Sequence, residues 1–215
     1  MTAMTEMMLQ LRKTGIVPVV VLNDVKDALP LGECLMKGGL PCAEVTFRTA
    51  AAEESIRRMA RAYPDMIIGA GTVLTCEQAD RAIDAGAKFI VSPGFNPKVT
   101  EYVLKKGMPM TPGVCTPTEI EAAMSLGLDV LKFFPAEPSG GLKMIKAVCA
   151  AYVNLQFMPT GGINAENVKD YLKYDRIVAC GGSWMVSGAL VKEGKFGEIE
   201  KLVREAAGIV KEIRG

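Results

Sequence analysis

A lysine at the centre of an apolar run needs a reason. Residues 129–137 read DVLKFFPAE, where Val130, Leu131, Phe133 and Phe134 form a strand-like stretch bounded by Asp129 and Pro135, with Lys132 in the middle. Desolvating an ammonium is costly, so such a lysine is either compensated or used. Among apolar neighbours its pKa falls and free amine appears at neutral pH, the form that attacks a carbonyl to build a Schiff base. A nearby carboxylate pulls the other way, and the sequence leaves the net shift open. Lys132 is the one lysine in mid-strand: Lys88 opens its strand, while lysines such as Lys37, Lys98, Lys105 and Lys146 fall in helical or loop segments.

The stretch CAEVTFRT (42–49) supplies the carboxylate. Residues two apart on a strand share a face, so Glu44, Thr46 and Arg48 point one way and Ala43, Val45 and Phe47 the other. If the apolar trio packs under helices, the polar trio lines an interior, where Glu44 can meet Lys132. The same pattern also fits a Glu–Arg pair that merely holds strands together. Thr72, in GAGT, is placed to join Arg48 in holding a small carboxylate, which an arginine grips with two prongs; a lone threonine at a strand end also serves as a helix cap. Two glycine pairs, Gly161–Gly162 in PTGGIN and Gly181–Gly182 in CGGSW, leave open backbone N–H groups, and Ser183 adds a hydroxyl. That is the chemistry of a phosphate cradle formed by backbone amides and a helix N-terminus. Thr160, beside the first pair, is placed to hydrogen-bond a ligand hydroxyl.

Eight apolar β-type runs must position these groups: 15–22, 42–49, 66–73, 88–94, 108–114, 130–136, 155–162 and 177–183. Helical patterns separate them, many closed by glycine. Strands alternating with helices pair in parallel, and eight of them close a (β/α)8 TIM barrel, here a minimal α/β barrel in a single domain over residues 1–215 with a short N-terminal helix. In such a barrel the glycine- and proline-rich strand ends share one rim, and phosphate binds after strands seven and eight. An open doubly wound sheet is the rival architecture, but no GxGxxG turn follows the first strand.

Composition narrows the chemistry further. The chain of 215 residues contains no histidine, which removes Ser-His-Asp and Cys-His catalysis, His-ligated metal and the usual neutral-pH proton shuttle. Acid–base work falls to carboxylates, lysines, cysteines, tyrosines or water. With 25 Lys+Arg against 24 Asp+Glu there is no basic footprint for nucleic acid. No apolar run reaches the roughly 18 residues that span a bilayer. The N-terminus reads as a short amphipathic helix and not as an export signal, and six scattered cysteines without a CxxC fit reduced thiols in a cytoplasmic protein.

Taken in order, EVTFRT, GAGTV, SPG, LKFFPAE, PTGGI and GGSW resemble the motifs of the 2-keto-3-deoxy-6-phosphogluconate aldolases, which overlap with the 4-hydroxy-2-oxoglutarate aldolases, and the resemblance spans nearly the whole chain. It implies that Lys132 forms the Schiff base and Glu44 is the general acid/base. By the same resemblance Arg48 and Thr72 bind the pyruvate-side carboxylate, Pro93 and Phe134 shape the pocket, and Gly161, Gly162, Gly181, Gly182 and Ser183 hold the phosphate. It further implies a small-molecule substrate, no metal or other cofactor, no nucleic-acid or membrane partner, and a homotrimer. The competing expectations are a galactonate-specific relative, a metal-assisted phosphosugar epimerase or decarboxylase, and a non-catalytic phosphosugar-binding barrel.

Overall fold

The computed structural model describes residues 3–215. Its strands are β1 (Ile16–Val20), β2 (Cys42–Thr46), β3 (Ile67–Gly71), β4 (Phe89–Val91), β5 (Met110–Thr111), β6 (Gly113–Val114), β7 (Val130–Phe133), β8 (Gln156–Pro159) and β9 (Cys180–Gly182). The helices are α1 (Ala3–Thr14), α2 (Ala28–Gly38), α3 (Ala52–Ala62), α4 (Cys76–Asp84), α5 (Pro97–Lys105), α6 (Pro117–Met124), α7 (Gly141–Ala151), α8 (Val168–Leu172), α9 (Gly188–Lys192) and α10 (Phe196–Arg214). Each expected run contains strand, so the alternation of β with α is as read from the sequence.

All pairings are parallel. One sheet runs β5-β4-β3-β2-β1-β9 and the other β6-β7-β8. The expectation of eight continuous strands needs correcting at two places. Pro112 divides the fifth run into β5 and β6, because proline has no N–H to give to the ladder. Between β8 and β9 only isolated bridges form, Phe157 with Ile177 and Thr160 with Gly181. The strands are also shorter than the apolar runs that announce them: β2 stops at Thr46, and residues 47–49 already turn away.

Two apolar layers follow from strand alternation. Ala43, Val45, Leu131, Phe133 and Phe157 pack outward against the helices. Cys42, Phe89, Val91, Val130 and Met158 pack on the opposite face together with Met7, Met8 and Leu11 of α1. The N-terminal helix is therefore a plug for the strand interior. Lys132 shares its face with Val130, which settles the direction that periodicity alone left open: it points inward. Short connections hold the helices in place. Thr116 and Glu119 form a reciprocal capping box on α6, Asn96 caps α5 with Pro97 in its first turn, and the Thr75 side chain accepts from Gln78 N at the start of α4. No helix among the described residues is long and apolar enough to cross a membrane.

Candidate active site

Glu44 is fully buried and Lys132 is 3% exposed, and their side chains meet inside the sheet with Nζ 3.5 Å from Oε1. The approach depends on glycine at position 71, where a Cβ would fall 2.2 Å from Glu44 Oε1. A charged pair kept solely for stability requires close, fully hydrogen-bonded geometry to offset its desolvation. Here the contact lies at the long limit of a hydrogen bond, and Glu44 Oε2 has no partner among the described residues. The ammonium also sits 5.0 Å from the Phe134 ring centroid, so Phe134 covers one side of it.

The turn after β2 brings in Arg48, whose Nε donates to Thr72 Oγ1 at 3.2 Å. Arg48 is exposed, and its terminal amino groups make no hydrogen bond among the described residues. Thr72 itself has φ +56°. A β-branched residue in the left-handed region carries strain of about 1–2 kcal/mol, and such strain concentrates at functional sites. No sequence pattern announced this. Pro93 lies on the loop after β4, its carbonyl so close to Gly113 that a Cβ there would approach to 2.0 Å. Gly113 in turn is the register partner of Lys132, so Pro93 stands next to the lysine strand.

A cavity of about 470 Å3 opens at the strand ends. Arg48, Phe134, Thr160, Gly161, Gly162, Gly181, Gly182 and Ser183 all line it. Lys132, Glu44, Thr72 and Pro93 do not; Phe134 reaches from the cavity to Lys132, and Arg48 to Thr72. Thr160 Oγ1 is buried with no partner among the described residues. Five residues separate Gly162 from α8, and Ser183 is the N-cap residue of a short 3-10 helix, Trp184–Val186. Gly161 and Gly162 adopt φ +99° and +80°, which turns the loop sharply over the cavity.

The larger groove, about 840 Å3, lies elsewhere, between α1 and α10. It holds none of the candidate residues, and its arginines are engaged with backbone carbonyls: Arg12 with Asp175, and Arg214 with Arg12, Ile177 and Val178. Nor do the interior cysteines compete as nucleophiles. Burial pushes the Cys42 and Cys180 thiols up, Cys180 to about 12, away from the reactive thiolate. Among the described residues no group of three or more acidic or cysteine side chains is placed to hold a metal.

Two residues the sequence did not single out as functional, Glu137 and Tyr171, join beside the glycine loop through a hydrogen bond from the Tyr171 hydroxyl to Glu137 Oε1. Glu137 ends the FFPAE stretch and so had a local signal; Tyr171, on α8, had none.

Comparison with known proteins places the chain in one family. The family model for KDPG and KHG aldolase matches residues 7–202. A 2-dehydro-3-deoxy-phosphogluconate aldolase of Haemophilus influenzae is 50% identical over 202 residues, covering 94% of this chain and 95% of that protein. A KDPG aldolase of Legionella pneumophila, solved with pyruvate captured as a covalent carbinolamine, matches with a TM-score of 0.88 at 35% identity, over 92% of this chain and 96% of that one. The Zymomonas mobilis enzyme, solved with 3-phosphoglycerate, matches with a TM-score of 0.86 at 36% identity, over 93% and 94% of the two chains.

Proposed function

The chain belongs to the KDPG and KHG aldolase family, and on that premise we propose that it is a Schiff-base aldolase cleaving 2-keto-3-deoxy-6-phosphogluconate to pyruvate and glyceraldehyde 3-phosphate. The observation that carries the reading is the buried, loosely joined Lys132–Glu44 pair beside a glycine-lined cavity. Glu44 takes a proton from Lys132, and the free amine adds to the C2 ketone to give a carbinolamine. Glu44 then returns that proton to the departing hydroxyl, so that water leaves and a protonated imine remains beside the Glu44 carboxylate. Glu44 takes the C4 hydroxyl proton, the C3–C4 electrons move into the imine, and the aldehyde leaves. Glu44 returns the proton to C3 of the enamine, and water adds to the imine to release pyruvate and protonated Lys132. A protonated imine is a better electron sink than a ketone, and a carboxylate passing protons in successive steps replaces the missing histidine. The carbinolamine captured in the Legionella pneumophila protein supports this sequence of steps.

In the same reading Arg48 and Thr72 hold the pyruvate carboxylate, Pro93 and Phe134 shape the pocket around it, and the amides of Gly161, Gly162, Gly181 and Gly182 with the Ser183 hydroxyl take the phosphate. The unpartnered hydroxyl of Thr160 supports a hydrogen bond to a substrate hydroxyl. The smaller 4-hydroxy-2-oxoglutarate, which splits to pyruvate and glyoxylate, is a second substrate that needs no phosphate site. One closed (β/α)8 domain over residues 1–215 belongs to the proposal; chain continuity through Pro112 and the bridges between β8 and β9 support it. Assembly as a homotrimer rests on the resemblance alone, and light scattering reads it; a cytoplasmic location rests on the scattered free cysteines.

Incubation with 2-keto-3-deoxy-6-phosphogluconate, with pyruvate read by coupled reduction to lactate, tests the activity: equal amounts of pyruvate and glyceraldehyde 3-phosphate are expected, and their absence from folded protein refutes it. Thr72→Gly gives a more specific check. Glycine relieves the left-handed strain, so stability is kept or raised by up to about 1 kcal/mol. The loss of the hydroxyl beside Arg48 weakens pyruvate binding by roughly tenfold. A drop in Tm with unchanged pyruvate affinity contradicts the assignment of Thr72.

A further inference from the structure

We propose that Glu137 and Tyr171 are positioning residues that fix the Gly161–Gly162 loop for a phosphorylated substrate. The inference rests on the aldolase reading above and goes beyond it, since neither residue touches substrate in that reading. Glu137 holds the loop in three ways. Its backbone N–H donates to Gly161 O at 3.0 Å, next to the bond from Ala136 N to Thr160 O at 2.8 Å. Its side chain lies against Gly162, where a Cβ would fall 2.6 Å from Glu137 Cβ. Its carboxylate accepts a hydrogen bond from the Tyr171 hydroxyl.

Tyr171 is the anchor. It is 2% exposed and sits on α8, the helix that follows the glycine loop. Gly141, at the start of α7, is a glycine where a Cβ would come within 2.8 Å of Glu137 Oε1 and 2.9 Å of the Tyr171 oxygen. The pair thus ties three pieces together: the segment after β7, which continues from Lys132 and Phe134; the loop after β8; and helices α7 and α8. A second support, Asn167 Nδ2 to Gly162 O at 3.0 Å, holds the far side of the loop. Without the Glu137 carboxylate the Tyr171 O–H loses its acceptor, and the loop loses the contact that sets its height over the cavity. The chemistry at Lys132 does not need that contact. A substrate with a phosphate does.

The test compares two substrates across three variants, Glu137→Ala, Glu137→Gln and Tyr171→Phe. For 2-keto-3-deoxy-6-phosphogluconate, Glu137→Ala and Tyr171→Phe are expected to raise KM about tenfold with kcat nearly unchanged. Glu137→Gln keeps an acceptor oxygen and is expected to stay within about threefold of the parent enzyme. For 4-hydroxy-2-oxoglutarate all three variants are expected to match the parent. Equal losses on both substrates, or no loss on either, overturn the inference. Tyr171→Phe keeps the ring and its packing, so it carries the test if Glu137→Ala does not fold. A parent enzyme that cleaves neither compound refutes the aldolase reading itself, an outcome visible before any variant is compared.

Discussion

Lys132→Arg is expected to abolish cleavage, lowering kcat/KM by about 10^4-fold or more, the scale on which removal of a covalent nucleophile acts. The substitution keeps a positive charge opposite Glu44, so it separates the two roles the site allows the lysine. A guanidinium is never deprotonated in a protein and cannot add to a ketone. If the lysine served only to neutralise Glu44, arginine would do the same work and turnover would persist. The side chain is 3% exposed, so the bulkier group also strains its surroundings, and Tm and circular dichroism are measured alongside to show that the loss occurs in folded protein. Turnover at the parent level in Lys132→Arg contradicts the mechanism outright.

Glu44→Gln has the second largest effect, a fall in kcat of about 10^2–10^4-fold, the usual share of a general acid/base. Glutamine is nearly isosteric and still fits against Gly71, where space is set by the missing Cβ. It accepts a hydrogen bond from Lys132 but takes up no proton at the pH of the reaction. The loss is therefore chemical, and it has its own signature. The parent enzyme exchanges the methyl protons of pyruvate for deuterium through the enamine, and Glu44→Gln does so at least about a hundredfold more slowly. Normal exchange in Glu44→Gln would assign the proton transfer to water or another residue. The same substitution leaves a buried charge without its counter-ion, so some loss of stability accompanies it.

Much of this site was legible in sequence because strand alternation is a strict rule. Glu44 and Thr46 on one face of β2, with Ala43 and Val45 on the other, followed from period two, and the structure buries both threonine and glutamate. The lysine stood out because a charge in an apolar run is costly. What alternation did not decide was the facing of β7, where both faces carry apolar residues; packing against α1 decides it. Pro112 interrupts a run that hydrophobicity alone reads as one strand. The left-handed backbone of Thr72 and the pairing of Glu137 with Tyr171, 34 positions apart, are tertiary facts that leave no local trace. The glycine pairs marked the two loops that line the cavity, while the short 3-10 helix after Ser183 left no periodic signal.

Trapping with pyruvate and sodium borohydride, followed by peptide mass spectrometry, tests the central claim most directly. The account predicts a reduced pyruvyl adduct on Lys132 and on no other lysine, absent from Lys132→Arg. An adduct on another residue, or folded protein that cleaves substrate and forms no adduct, would contradict it.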